Sequence, residues 1–256
     1  MTLKFDPNIY KMNLEEGYKN IISYSGGKDS TSIVLFFLEN EIPIDEIVFF
    51  DSGWDWPQIY EHNKTLEKYA NKRITVLKPE KSFEWWMYEK PCAIGNGKGW
   101  PRFNLRWCTG VMQTTIRKYL KSIEKYYNFI GVCYDEGYRL LKKPKNHFKR
   151  YKYPLIEHKI KEREAKKMCF EHGFDFGGLY KYMDSTSCWC CPLQPLRSLR
   201  NLYRFYPDLW KKLREMGDKT PTPFKIGKTV SDGIFLDYYE NRFKEECKQR
   251  LIDEYF

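Results

Sequence analysis

A short apolar run, Asn20-Ile-Ile-Ser-Tyr24, stops at Ser25-Gly26-Gly27 and leads into Ser30 to Asn40, where Ile33, Val34, Phe37 and Leu38 recur at helical spacing. The segment reads as strand, tight turn, helix, and it constrains the chain more than any other. A buried strand feeding directly into a helix is the start of a parallel crossover. Small residues at 25, 26 and 27 let backbone amides close on an anion, and the helix start adds the positive end of its dipole. Lys28 supplies a mobile charge, Asp29 a carboxylate that can position the loop, and Ser30 a hydroxyl. The spacing is not that of a Walker A loop, and a Gly-Gly pair can also serve only as a tight connection.

The same rhythm continues. Glu46-Ile-Val-Phe-Phe50 reads as a second buried strand ending in Asp51-Ser52-Gly53, Pro57 opens a helix to about Ala70, and Arg73 to Leu77 reads as a third strand. Helices are expected over Phe83 to Tyr88 and Thr109 to Ile123, a fourth strand over Asn128 to Cys133, and a helix from Lys161 to His172. The basic segment Arg139 to Lys152 reads as a surface excursion. From Gly173 the composition turns to glycine, aromatics and cysteine, with helices at Pro195 to Met216 and Asp232 to Tyr255. The expected fold is α/β: an open, mainly parallel sheet with helices on both faces, plus a C-terminal helical region. The expected division is a nucleotide-binding domain at 1–172 and a cysteine knuckle with packed helices at 173–256.

The chain has 256 residues, and its 44 Lys and Arg against 34 Asp and Glu give a formal charge of +10. That balance favours anionic partners, among them polyphosphates, sulfonucleotides and nucleic acids. No apolar run approaches the roughly 20 residues of a membrane span, and the N-terminus lacks a signal-peptide pattern, so a cytoplasmic location without membrane partners is expected. In that compartment thiols stay reduced, and clustered cysteines read first as metal ligands or catalytic thiols. Cys188 and Cys191 have the C-x-x-C spacing that grips one iron or zinc ion, with Cys190 near enough to join them. Ordinary packing is the competing reading for such small apolar residues.

Strand, Ser-Gly-Gly-Lys-Asp-Ser, then helix resembles the PP-loop of the adenine nucleotide alpha hydrolases, which include ATP pyrophosphatases and phosphoadenosine phosphosulfate (PAPS) reductases. Asp51-Ser52-Gly53, Arg106-Trp107-Cys108-Thr109 and Gly131-Val-Cys-Tyr-Asp135-Glu136 are similar to the PAPS reductase branch, in the same order. The resemblance implies that Ser25, Gly26, Gly27, Lys28, Asp29 and Ser30 bind phosphates of ATP, PAPS or APS. It places Asp51, Ser52 and Gly53 along the adenosine, and Asp135, Glu136 and Arg139 on the far side. Lys28 and Asp29 would carry the chemistry, with Mg²⁺ if the nucleotide is ATP. The related APS reductases imply Cys108 as a fourth ligand beside Cys188, Cys190 and Cys191, for a [4Fe-4S] cluster or, alternatively, Zn²⁺.

The chain departs from the family at three places, the first being Trp107, which replaces one cysteine of the Cys-Cys pair of the related APS reductases, so that Cys190 would make up the count. Cys133 stands where an arginine often follows the fourth strand, and Glu246-Cys247-Lys248-Gln249 lacks the Gly and His that accompany the family's C-terminal nucleophile. Tyr238 to Phe256 reads as a continuous charged helix, so Cys247 reads as a helix residue. Two functions compete. One is a nucleotide-dependent enzyme that either reduces a sulfonucleotide or adenylates an acceptor for thiolation, with a nucleic acid or sulfur-donor protein as partner. The other is a non-catalytic nucleic-acid-binding module with a zinc knuckle. His62 could approach a ligand from its helix, but a lone histidine reads more often as a surface or packing residue. Trp54, Trp56, Trp85, Trp86 and Trp100, with Lys98 and Arg102, read either as core or as a stacking surface.

Overall fold

The computed structural model describes residues 14–92, 95–220, 222–225 and 233–255. In chain order the strands are β1 (Lys19–Tyr24), β2 (Glu46–Phe50), β3 (Ile74–Leu77), β4 (Pro91–Cys92), β5 (Gly95–Asn96), β6 (Tyr126–Ile130) and β7 (Tyr151–Lys152). The first helices are α1 (Lys28–Glu39), α2 (Pro57–Ala70), α3 (Trp107–Lys121), α4 (His147–Arg150) and α5 (Pro154–Glu157). They are followed by α6 (Glu162–Glu171), α7 (Leu179–Tyr182), α8 (Leu196–Phe205), α9 (Pro207–Asp218) and α10 (Leu236–Tyr255).

The chain divides into two compact units that interleave along the sequence. One gathers residues through Asp51 with Trp56–Lys78 and Thr114–Tyr180; the other gathers Ser52–Asp55, Pro79–Gln113 and the residues from Lys181 on. The grouping is not a single cut of the chain, because residues 79–113 join the C-terminal helices.

The first unit holds a five-stranded sheet in the order β3-β2-β1-β6-β7, parallel at every pairing. β1 is central, and its neighbouring side chains Ile21 and Ile22 are both fully buried, as a strand covered on both faces requires. Burying each is worth about 1.5–3 kcal/mol relative to exposure. The C-terminal part of α3 packs Ile116, Tyr119 and Leu120 on the face of Ile21 and Val48. On the other face Phe37 of α1 meets Phe129 edge-on at 4.6 Å, and Tyr60 of α2 meets Phe49. Connections leave β1 in opposite directions, toward β2 and β3 on one side and toward β6 and β7 on the other. The point of reversal lies between β1 and β6, where the carboxyl ends of an open α/β sheet leave a crevice.

The second unit contains the β4–β5 hairpin and α8, α9 and α10, which bury Leu199, Leu202, Trp210, Leu213 and Phe243, with the Trp210 and Phe243 rings 5.9 Å apart. Trp54, Phe83 and Trp107 form an edge-to-face triad with centroids 5.1–5.9 Å apart. Ion pairs join the helices: Arg214 to Asp237 and Glu240, and Arg200 to Glu246 at 2.6 Å.

Three local expectations change. Tyr151–Lys152, inside the expected surface excursion, is a fifth strand; Lys152 is buried with its ammonium 4.8 Å over the Tyr127 ring, so a charged residue sits where an apolar pattern would signal a strand. The expected helix at 195–216 is two helices, because Pro207 offers no amide and disfavours helical backbone at Tyr206. Trp85–Glu89 is a π-helical turn. Among the described residues no helix is long and apolar enough to cross a membrane.

Candidate functional sites: a phosphate loop and a thiol cluster

Ser25, Gly26 and Gly27 join β1 to α1 in the first unit. Gly26 has φ +76°, and a Cβ there would lie 2.3 Å from Cγ2 of Ile59 on α2, so both the backbone and the space demand glycine. Gly27 caps α1 in extended conformation and has no side chain to cap the helix start. The first helical amides lack intrahelical partners, the setting in which a helix start attracts an anion; that of Lys28 is taken by the Tyr180 hydroxyl. Ser30 Oγ donates to the Gly27 carbonyl at 3.0 Å and accepts the Ser25 amide at 3.1 Å, closing the loop on itself. Gly131 follows β6, and a Cβ there would come within 2.8–3.0 Å of the Asp29 and Ser30 backbone. Glycine therefore brings the end of β6 against the start of α1.

Lys28 is buried along its length, and its ammonium lies 2.9 Å from Glu162 Oε1 and 3.2 Å from Asp29 Oδ1. Burial works against its charge, but Asp29 and Glu162 outweigh it and hold the lysine above its ordinary pKa. The Lys28 amide donates to the Tyr180 hydroxyl at 3.0 Å. Cys133 donates to Asp29 Oδ1 at 3.1 Å; burial, then Asp29, pushes its thiol far up, so it acts as a neutral donor. Cys169 donates to the Lys28 carbonyl at 3.3 Å and is pushed up to about 12, chiefly by burial. Both are core residues, and they also brace the loop.

Asp135, Glu136 and Arg139 lie on a 3-10 turn, Tyr134–Leu140, after β6 in the same unit. Asp135 Oδ1 accepts the Glu162 amide at 3.1 Å, and Arg139 pairs with Glu136 at 2.9 Å. Asp51 ends β2, accepts the Tyr60 hydroxyl at 2.7 Å and lies 3.6 Å from the Lys78 ammonium. His62 is buried, shares a hydrogen bond of 3.0 Å with Thr31, and is pushed down to about 4 by burial. It is a neutral packing residue.

Ser52, Gly53, Cys108, Cys188, Cys190 and Cys191 belong to the second unit. Ser52 is fixed by its own turn: its hydroxyl donates to Asp55 at 2.7 Å, and its oxygen accepts the Trp54 amide and approaches Cys188 Sγ at 3.9 Å. The Trp189 amide donates to the Trp54 carbonyl, stitching this turn to the cysteine segment. Cys190 is buried, Cys188 and Cys191 partly so. Burial pushes all three thiols and Cys108 upward, Cys188 and Cys190 furthest. Cys188 senses Cys191 and Cys108, Cys191 senses Cys108, and Cys190 senses Cys188 and Cys191. The four thiols therefore form one electrostatic neighbourhood. Among the described residues, however, no three Cys, His, Asp or Glu side chains converge closely enough to hold a metal ion. Lys225 braces the knuckle by donating to the carbonyls of Pro192 and Gln194.

Cys247 lies within α10, as the charge pattern suggested. Trp54, Trp56 and Trp100 are buried, while the lysines at 81, 90 and 98 lie over the half-buried rings of Trp85 and Trp86. The site residues that sequence reading missed are Glu162, Tyr180 and Lys225. Glu162 is one acidic first-turn residue among many, and the other two reach their partners from distant segments; none carries a local signal.

Residues 19–193 match the family model described as phosphoadenosine phosphosulfate reductase domain. Two uncharacterized proteins of Methanocaldococcus jannaschii are similar. One is 23% identical over 222 residues, covering 78% of this chain and 42% of the relative; the other is 26% identical over 214 residues, covering 79% and 48%. The chain thus spans less than half the length of these curated relatives. Among solved structures, a PAPS reductase from Candida auris in phosphate complex is 14% identical at a TM-score of 0.48, covering 68% of this chain and 83% of that one. The U34-tRNA thiolase NcsA from Methanococcus maripaludis with its [4Fe-4S] cluster is 15% identical at a TM-score of 0.45, covering 93% and 76%.

Proposed function

Because the chain belongs to the phosphoadenosine phosphosulfate reductase domain family, we propose that it is a nucleotide-dependent enzyme of sulfur chemistry that binds the phosphates of ATP or a sulfonucleotide at Ser25 to Ser30. The observation that carries this reading is the glycine-capped start of α1 beside the buried Lys28, at the reversal point of a parallel sheet. Such a loop acts by placing charge, not by covalent chemistry. Asp29, held by Cys133, fixes the loop and Lys28; Lys28 would meet the phosphates, with Mg²⁺ accompanying ATP.

Of the two reactions the family suggests, adenylation of an acceptor with release of pyrophosphate is favoured over sulfonucleotide reduction. Cys247, the counterpart of the reductase nucleophile, is built into α10 without the accompanying Gly and His. Cys108, Cys188, Cys190 and Cys191 would hold a [4Fe-4S] cluster or Zn²⁺, which when bound supplies a thiophilic centre able to hold or pass sulfur. The donor chemistry fits such a group; the thiols as packed would have to draw together to close around it.

Incubation of anaerobically prepared protein with ATP and Mg²⁺, and in parallel with PAPS and a dithiol reductant, tests the reading. AMP and pyrophosphate from ATP are expected. Turnover of PAPS instead would reverse the choice of reaction, and failure of both nucleotides to bind or react would sink the enzyme reading in favour of a binding module.

A further inference from the structure

Between Gly137 and Ile156 the chain carries no Asp or Glu, yet it includes Lys142, Lys143, Lys145, Lys149 and Arg150, all exposed. Surface charge runs are ordinarily solvated faces with carboxylates interspersed. The second unit behaves that way: Arg214 pairs with Asp237 and Glu240, Arg200 and Arg242 with Glu246, and Lys244 with Glu240. Among the described residues the five cations of 142–150 have no carboxylate partner. They fall within nine residues of one unit, and the run is preceded by Tyr138, which is 64% exposed.

We infer that the segment 138–150 is a docking surface for the phosphate backbone of a nucleic acid, with Tyr138 as a platform for an unpaired base. Lysines without carboxylate partners, gathered along a run of turns ending in α4, suit a chain of regularly spaced phosphates, whose condensed counterions are released on binding. An exposed aromatic ring beside them adds stacking that any base can satisfy. A membrane surface fits less well. α4 is a single turn, and Leu141 is the only exposed aliphatic residue in 138–150, so no apolar face is available to enter a bilayer. The inference does not rest on nucleotide binding at Ser25 to Ser30, since it uses none of those residues.

The test is fluorescence anisotropy of the full chain with labelled 20-mers of single-stranded and duplex RNA and DNA across a salt series. With about four or five phosphate contacts, log affinity should fall against log salt with a slope of about −3 to −4, a loss of roughly a hundredfold between 50 and 200 mM. The triple variant K142A/K143A/K145A should shallow that slope by about 2, and the lysine-to-arginine triple should keep it. Tyr138→Ala should weaken single strands more than duplex. ATP titration of the same variants should be unchanged, which separates this result from any failure at the phosphate loop. The inference is overturned if the wild type does not bind any 20-mer at 50 mM salt, if the alanine triple keeps the full slope, or if only vesicles containing anionic lipid are bound.

Discussion

The phosphate loop and the thiol cluster are built on opposite principles. The loop is closed before any ligand arrives: Ser30 ties it to itself, Cys133 holds Asp29, Cys169 holds the Lys28 carbonyl, and Asp29 and Glu162 neutralise the lysine. The thiols share one neighbourhood without converging, and burial keeps them protonated. One site is organised by the polypeptide. The other, if it is the metal site proposed above, has donors that a cation would organise, since metal binding displaces thiol protons and draws ligands together. The two should therefore fail differently: backbone changes should break the first, and loss of metal the second.

The largest effect should come from Gly26→Val. The new side chain would be forced into left-handed backbone and onto Ile59, at a cost of about 1–3 kcal/mol for the backbone alone, before the clash. The loop cannot relax without moving α2 or the start of α1, so nucleotide affinity should drop by more than about a hundredfold, some 2.7 kcal/mol. Calorimetry with ATP would show it. An affinity within a few-fold of wild type would mean that the phosphates bind elsewhere. Metal content, if set by the proposed ligands of the second unit, should not change.

Next in size is Cys188→Ser, the reverse experiment. If Cys108, Cys188, Cys190 and Cys191 are the ligands, the anaerobic protein should lose most of its iron or zinc and the thermal midpoint should fall, while ATP affinity holds. A brown wild-type protein with a charge-transfer band near roughly 400 nm, bleached in the variant, would identify iron-sulfur. A colourless protein carrying about one zinc would identify the alternative. Wild-type protein free of both metals would show that the thiols are packing residues, and the contrast between the two sites would collapse.

The loop was legible in the sequence and the thiol geometry was not, for the same physical reason. Ser25 to Ser30 is contiguous, and its conformation follows from glycine, a buried strand and a helix start within about a dozen residues. The sheet was legible likewise, because its central strands carry neighbouring buried apolar residues, Ile21 and Ile22 in β1 and Ile47 to Phe50 in β2. Contacts that depend on distant segments leave no such trace: Glu162 reaches Lys28 across 134 positions, and Tyr180 across 152. β7 was hidden because a buried lysine over Tyr127 stands where the apolar pattern should be. Cys108 could be placed beside the knuckle only through resemblance, since 80 positions separate it from Cys188.

The smallest expected effect bears most directly on how finished the loop is. Glu162 is half exposed, and an ion pair of that kind is worth only about 0–1 kcal/mol, so Glu162→Gln should leave the thermal midpoint nearly unchanged. Its carboxylate nevertheless occupies the ammonium that a phosphate would need, so every binding event must displace it. Removing the charge while keeping the shape should raise ATP affinity by about threefold to tenfold, or roughly 0.7–1.4 kcal/mol. The gain should shrink at high salt, where the competing pair is already screened. A loss of affinity would give Glu162 the opposite role: it would be holding Lys28 in position for the nucleotide, and the loop would be complete only with that carboxylate in place.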